Sequence, residues 1–124
     1  MSGTGTRGPK VLLIDDEALV RSTLKRVLDR VSSEVLTAAS GEEGLSVLRA
    51  NPDVRVVLLD LSMPDLNGTE VLKRLRDFNV EVPVYLMTGF LPDGIDVSTA
   101  TGVLAKPIDI DRVRRVVASY GTNS

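Results

Sequence analysis

The chain has 124 residues, 43% of them hydrophobic and 3% aromatic, which suits one domain with a core of Val, Leu, Ile and Ala. It contains no cysteine and no histidine, which excludes disulfides, thiolate or imidazole metal ligation, a Ser-His-Asp nucleophile and a phosphohistidine of its own. The net charge is −2, with both signs spread along the chain and no basic stripe for nucleic acid. No apolar run approaches the roughly 20 residues of a membrane span, and the N-terminus lacks an apolar signal core, so a cytoplasmic domain without membrane insertion is expected.

Residues 1–9 are small, polar and rich in Gly and Thr, and are expected to form a flexible leader before a domain over 10–120 and a tail over 121–124. Residues 11–14 form an apolar run that stops at Asp15, Asp16 and Glu17, the pattern of a strand buried on both faces. Over 18–31, Leu19, Val20, Leu24, Val27, Leu28 and Val31 recur at helical spacing, with Arg21, Lys25, Arg26 and Arg30 largely opposite. Residues 34–39 read as a second strand. Ser40 and Glu43 have the spacing of a capping box and open a helix to about residue 50.

Residues 54–59 are the most β-like run of the chain and also end in an aspartate, Asp60. Pro64 and Gly68 punctuate a loop, after which Val71, Leu72, Leu75 and Phe78 mark a third helix face. A fourth strand over 84–87 ends at Thr88 and Gly89, and a fifth over 103–105 runs into Lys106 and Pro107. Asp109 caps a last helix with Ile110, Val113, Val116, Val117 and Tyr120 inward. Strands alternating with helices imply an α/β fold, a doubly wound five-stranded parallel sheet.

In such sheets ligands bind beyond the carboxyl ends of the strands, and here those ends carry Asp15 and Asp16, Asp60, Thr88 and Lys106. Three carboxylates in one pocket repel one another unless a cation intervenes. Mg²⁺ suits them, because it takes few protein carboxylates and keeps waters and phosphate oxygens as its other ligands. Lys106 could pair with Asp60 or a phosphoryl oxygen, and Thr88 could donate to the same group. The set would serve attack by an already ionised carboxylate on phosphorus, giving an aspartyl-phosphate.

Val11-Leu-Leu-Ile-Asp-Asp-Glu17, Val57-Leu-Leu-Asp-Leu-Ser-Met-Pro-Asp-Leu-Asn-Gly68, Met87-Thr-Gly89 and Lys106-Pro107, in this order, resemble the response-regulator receiver domains of two-component signalling. The resemblance spans roughly residues 10–118. It implies a flavodoxin-like sheet of strand order 2-1-3-4-5, with Asp60 as phosphoacceptor. It further implies Mg²⁺, or Mn²⁺ in its place, on Asp16, Asp60 and the Ser62 backbone carbonyl, with Asp15 acting mainly through water. Thr88 would be the switch hydroxyl, Lys106 the phosphoryl contact, Pro107 the residue whose bond, often cis, turns the lysine inward, and Gly89 the small residue that leaves the site open. A histidine kinase or histidine phosphotransfer protein would donate the phosphoryl group, and the domain would promote its own dephosphorylation.

Two positions depart from that pattern. Val103 stands where the family commonly has Tyr or Phe, so an aromatic rotamer switch is absent there. The stretch between Thr88 and Lys106 is short for a crossover with a full helix and holds Pro92, Gly94 and several β-branched residues, so at most a turn or two over 96–101 is expected. Either output uses another face, such as the first or last helix, or the shortening is neutral. Gly3 to Gly8 matches G-x-G-x-x-G but lacks the flanking strand and helix a dinucleotide site needs, and Pro9 stands where a P-loop needs lysine. Rival readings are a metal-dependent aspartyl-phosphate phosphatase, which would want an acid where Ser62 stands, and a phosphate-independent pseudo-receiver.

Overall fold

Strands that are apolar at every position need cover on both faces, and the order of elements supplies it. The computed structural model describes residues 8–61, 68–79, 81–89 and 97–121. Within them run β1 (Lys10–Ile14), α1 (Ala18–Leu28), β2 (Glu34–Ala38), α2 (Gly41–Ala50), β3 (Val56–Asp60), α3 (Gly68–Phe78), β4 (Val84–Thr88), β5 (Gly102–Ala105) and α4 (Ile110–Ala118). All ladders are parallel and the strand order is β2-β1-β3-β4-β5, the flavodoxin-like order expected. No helix among the described residues is long and apolar enough to cross a membrane.

Alternation along the strands divides the core into two layers. Leu12, Ile14, Val57, Leu59, Val84 and Leu86 pack with Leu45, Leu48, Val71, Leu72 and Leu75 of α2 and α3. Val11, Leu13, Val56, Leu58, Met87 and Leu104 pack with Leu24, Leu28, Val113 and Val117 of α1 and α4. The central strands therefore have no solvent-facing side, and their C-terminal ends are where the sheet first meets polar groups.

Local chemistry sets the helix starts. The Ser40 Oγ accepts from the Glu43 amide at 3.1 Å, while the Glu43 carboxylate accepts from the Ala39 amide at 2.8 Å, a capping box whose return arm reaches one residue further back. Asp109 caps α4, its Oδ1 accepting from the amides of Asp111 and Arg112 at 3.0 and 3.2 Å. At the far end of that helix the Tyr120 and Tyr85 hydroxyls lie 2.8 Å apart, with the rings edge to face. Burial, then the hydrogen bond shared with the Tyr85 hydroxyl, push the pKa of the Tyr120 hydroxyl up to about 12.

Four expectations from periodicity are corrected. Leu19 is 77% exposed, because the inner stripe of α1 runs along Leu24 and Leu28 and leaves Leu19 on its outer shoulder. The helix ends at Leu28 rather than Val31, since Arg30 and Val31 turn off with bonds to the carbonyls three residues back. Phe78 sits at the rim of α3, with the Arg49 guanidinium 5.0 Å from its ring centre. Val54 is buried, yet its amide closes a turn onto the Asn51 carbonyl, and β3 starts two residues later.

The described part of the fourth crossover, residues 97–101, is made of turns, as its β-branched composition suggests. Val97 and Ala100 pack against the α2–α3 side of the core. Thr101 pairs with Val84 through both its amide and its hydroxyl, at 2.7 and 3.0 Å. The half-buried Arg76 of α3 completes the anchorage: its guanidinium donates to the Thr99 carbonyl at 2.7 and 3.2 Å and to the Val82 carbonyl at 2.6 Å. Charged hydrogen bonds of this kind are worth about 1–3 kcal/mol. Replacing Arg76 with Met is therefore expected to lower the unfolding free energy by about 1–3 kcal/mol and to speed hydrogen exchange at residues 97–101, as urea denaturation and amide exchange will show.

Candidate functional site

Register brings the polar strand ends together. Ile14 pairs with Leu59, so Asp15 follows β1 beside Asp60 at the end of β3. Asp60 pairs with Met87, and Thr88 with Ala105. Lys106 then leaves β5 with its amide bonded to the Thr88 carbonyl at 2.9 Å. Asp15 is fully buried, Asp60 is 1% exposed and Thr88 6% exposed, an unusual concentration of polar side chains at the end of an apolar sheet.

Within this pocket the Lys106 Nζ lies 3.2 Å from the Asp60 Oδ1, and the Lys106–Pro107 bond is cis. One carboxylate oxygen each of Asp15, Asp16 and Asp60 lies within 4.8 Å of the others. Asp16 is the exposed member of the three, which leaves the cluster open to solvent on that side. Among the described residues, a Cβ added at Gly89 would meet the Lys106 Cβ at 3.8 Å, an ordinary contact. The structure thus brings together Asp15, Asp16, Asp60, Thr88 and Lys106; Ser62, expected to offer its backbone carbonyl, lies outside the described residues.

The electrostatics of Asp15 point to a missing positive charge. Its Oδ1 accepts from the Glu17 amide at 2.9 Å, while its Oδ2 is buried without a partner among the described residues. Burial pushes its carboxyl up; the Glu17 amide pulls it down, Asp60 pushes it up, Lys106 pulls it down and Asp16 pushes it up. An orphaned buried oxygen beside two further carboxylates is the donor set a hard divalent cation satisfies. The residues therefore fit the Mg²⁺ that the donor chemistry implied.

Sequence reasoning missed one neighbour of this pocket and one of its walls. The Arg21 guanidinium donates to the Asp15 backbone carbonyl at 2.6 Å, a role that helical periodicity does not reveal. Beside Lys106 a mainly apolar groove of about 330 Å³ is lined by Leu19, Val20, Leu24, Pro107, Ile108 and Ile110, among others. Leu19 is the large exposed apolar side chain of this groove.

Fold and site together define a class, and comparison with known proteins agrees: the model of the response regulator receiver domain matches residues 11–118. The chain belongs to that family. It is 34% identical over 116 residues to sporulation initiation phosphotransferase F of Bacillus subtilis, covering 90% of this chain and 92% of that protein. It is 39% identical over 106 residues to the transcriptional regulatory protein AfsQ1 of Streptomyces coelicolor, covering 81% of this chain but 45% of that one. Among solved structures, the receiver domain of the hybrid histidine kinase CckA superposes with a TM-score of 0.76 at 32% identity, over 90% of this chain and 97% of that one. The chemotaxis protein CheY4 of Vibrio cholerae gives 0.78 at 26% identity, over 91% and 98%.

The raised Asp15 pKa fixes the sign of a pH effect. The folded chain holds this proton more tightly than the unfolded one, so above the ordinary value of 3.8 stability falls as pH rises toward the raised pKa. With EDTA present, wild type minus Asp15→Asn is expected to show that decline in urea midpoints, and Mg²⁺ is expected to reverse it.

Proposed function

We propose that the chain accepts a phosphoryl group from a phosphohistidine onto Asp60 and so switches its contacts with a protein partner. The observation that carries this reading is the buried Asp60 carboxylate, 3.2 Å from the Lys106 ammonium, inside a cluster of three acids. An Asp60 oxygen attacks phosphorus as the bond from phosphorus to the donor imidazole nitrogen breaks, its electron pair staying on that nitrogen. A carboxylate nucleophile has no proton to give up as it attacks, so no base is called for. Lys106 neutralises charge on a phosphoryl oxygen, and Thr88, at the next strand end, donates to another.

Asp16 and Asp60 would hold Mg²⁺, or Mn²⁺, with Asp15 behind them and the Ser62 carbonyl completing the set; the cation supplies charge neutralisation on the phosphoryl oxygens. The same arrangement would assist attack by water on the phosphorylated form. The name of the Bacillus relative, a phosphotransferase, and the kinase origin of the CckA domain support a role in phosphoryl transfer. These 124 residues carry no histidine, so the phosphohistidine lies outside them, on a histidine kinase or histidine phosphotransfer protein. A cytoplasmic location and a domain over residues 10–120 accord with this reading.

The groove beside Lys106 would seat that donor. It adjoins the acceptor, its lining is largely apolar, and the exposed Leu19 projects from it. A helix carrying the phosphohistidine, with an apolar face, would bury Leu19 and bring its imidazole to Asp60.

Two measurements test the chemistry and the docking separately. Incubation with Mg²⁺ and phosphoramidate should add one phosphoryl group by intact mass, absent in Asp60→Asn and slowed about a hundredfold in Lys106→Ala. No adduct on wild type would favour a phosphate-independent module, and turnover of many added phosphomonoesters would favour a phosphatase. Leu19→Glu should leave the phosphoramidate rate unchanged but slow transfer from a kinase that phosphorylates the wild-type chain by about tenfold.

A further inference from the structure

The loop that carries two of the three acids is fixed by three hydrogen bonds on Asp15. The Asp15 amide donates to the Ala38 carbonyl of β2 at 3.1 Å, its side chain accepts from the Glu17 amide at 2.9 Å, and its carbonyl accepts from the Arg21 guanidinium at 2.6 Å. Three different parts of the molecule therefore hold one residue. Arg21 itself is rooted in the first turn of α1, where its amide donates to the Glu17 carbonyl at 3.0 Å. Its side chain is half-buried and makes no ion pair with an acid among the described residues. The guanidinium is thus committed to a neutral carbonyl, that of a residue whose own carboxylate belongs to the acidic cluster.

The consequence follows from peptide planarity. The Asp15 carbonyl and the Asp16 amide belong to one rigid unit, so a charged hydrogen bond on that carbonyl fixes the plane from which Asp16 departs. Asp15 is held by burial and by its own bonds. Asp16 is exposed and its side chain makes no hydrogen bond among the described residues, so the backbone is what anchors it.

We propose that Arg21 is a positioning residue for cation binding: by clamping the Asp15 carbonyl it aims Asp16 at Asp60 and preorganises the acidic cluster for Mg²⁺. This rests on the reading of Asp15, Asp16 and Asp60 as a Mg²⁺ site. Arg21 is not a ligand, and its charge works against its role. A fixed cation near a divalent one weakens binding by repulsion, so deleting Arg21 should tighten Mg²⁺ if charge is its only effect. Deleting it weakens Mg²⁺ if positioning dominates, since residues that orient metal ligands are worth about 10–100-fold in affinity. The two effects have opposite signs.

The test is calorimetric titration of the full chain with MgCl₂, for wild type, Arg21→Met, Arg21→Lys and Asp16→Asn, alongside urea midpoints in EDTA. The expected result is at least about tenfold weaker Mg²⁺ binding in Arg21→Met, partial recovery in Arg21→Lys, which keeps one donor, and abolition in Asp16→Asn. Unchanged or tighter binding in Arg21→Met overturns the proposal, even if its urea midpoint falls, because that outcome describes a purely structural or purely electrostatic residue. Should Arg21→Met fail to fold, Arg21→Lys decides: weaker binding supports the clamp, wild-type binding overturns it. A wild-type chain that binds no Mg²⁺ while Asp60 still takes up phosphate overturns the Mg²⁺ reading, and the role of Arg21 with it.

Discussion

Three carboxylates gathered within 4.8 Å at the end of a sheet with no wet face are the constraint around which the molecule is arranged. Like charges so placed, with Asp15 and Asp60 cut off from water, oppose folding unless positive charge is supplied. Lys106 supplies part of it, at 3.2 Å from Asp60, and the remaining imbalance is visible in the orphaned Oδ2 and raised pKa of Asp15. A local conflict of this kind, tolerated inside an otherwise consistent fold, marks a functional site. The apolar strands hold the acids in place because β1 and β3 are packed on both sides and cannot shift to relieve the repulsion.

Much of this was legible in the sequence because the signals were categorical. An apolar run that ends in Asp15 and Asp16, or in Asp60, states both a buried strand and the point where burial stops. Ser40 and Glu43 announced their helix through two reciprocal bonds, and Asp109 did so through one side chain. The convergence of Asp15, Asp16, Asp60, Thr88 and Lys106 required only that parallel strands lie side by side.

What escaped depends on neighbours that periodicity does not contain. Leu19 belongs to the apolar pattern of α1 with Val20 and Leu24, yet among the described residues no element covers its shoulder of the helix. Phe78 likewise reaches only the rim. Arg21 fell with the charges opposite the apolar stripe of its helix and nothing in the sequence singled out Arg76, whereas each spends its guanidinium on backbone carbonyls, of Asp15 in one case and of Val82 and Thr99 in the other. Carbonyls leave no mark in an amino-acid sequence, so bonds to them become readable only in three dimensions.

The departures from the family pattern acquire a spatial meaning from the same two layers. Val103 is half-buried and packs on the α2–α3 side, where it offers shape but no hydrogen bond. The two tyrosines of the chain lie on the other side, where Tyr85 of β4 meets Tyr120 after α4. An alanine at Gly102 would press its Cβ to 3.0 Å from the Tyr85 ring, so glycine there leaves room for that ring. The strand that ends in Thr88 is therefore tied by an aromatic pair to the last helix. That helix shares its layer with α1, the Leu19 groove and the Arg21 clamp. On the opposite side, β5 is held by its parallel ladder to β4, and the turn that leads into it by the Arg76 bonds to the Thr99 carbonyl.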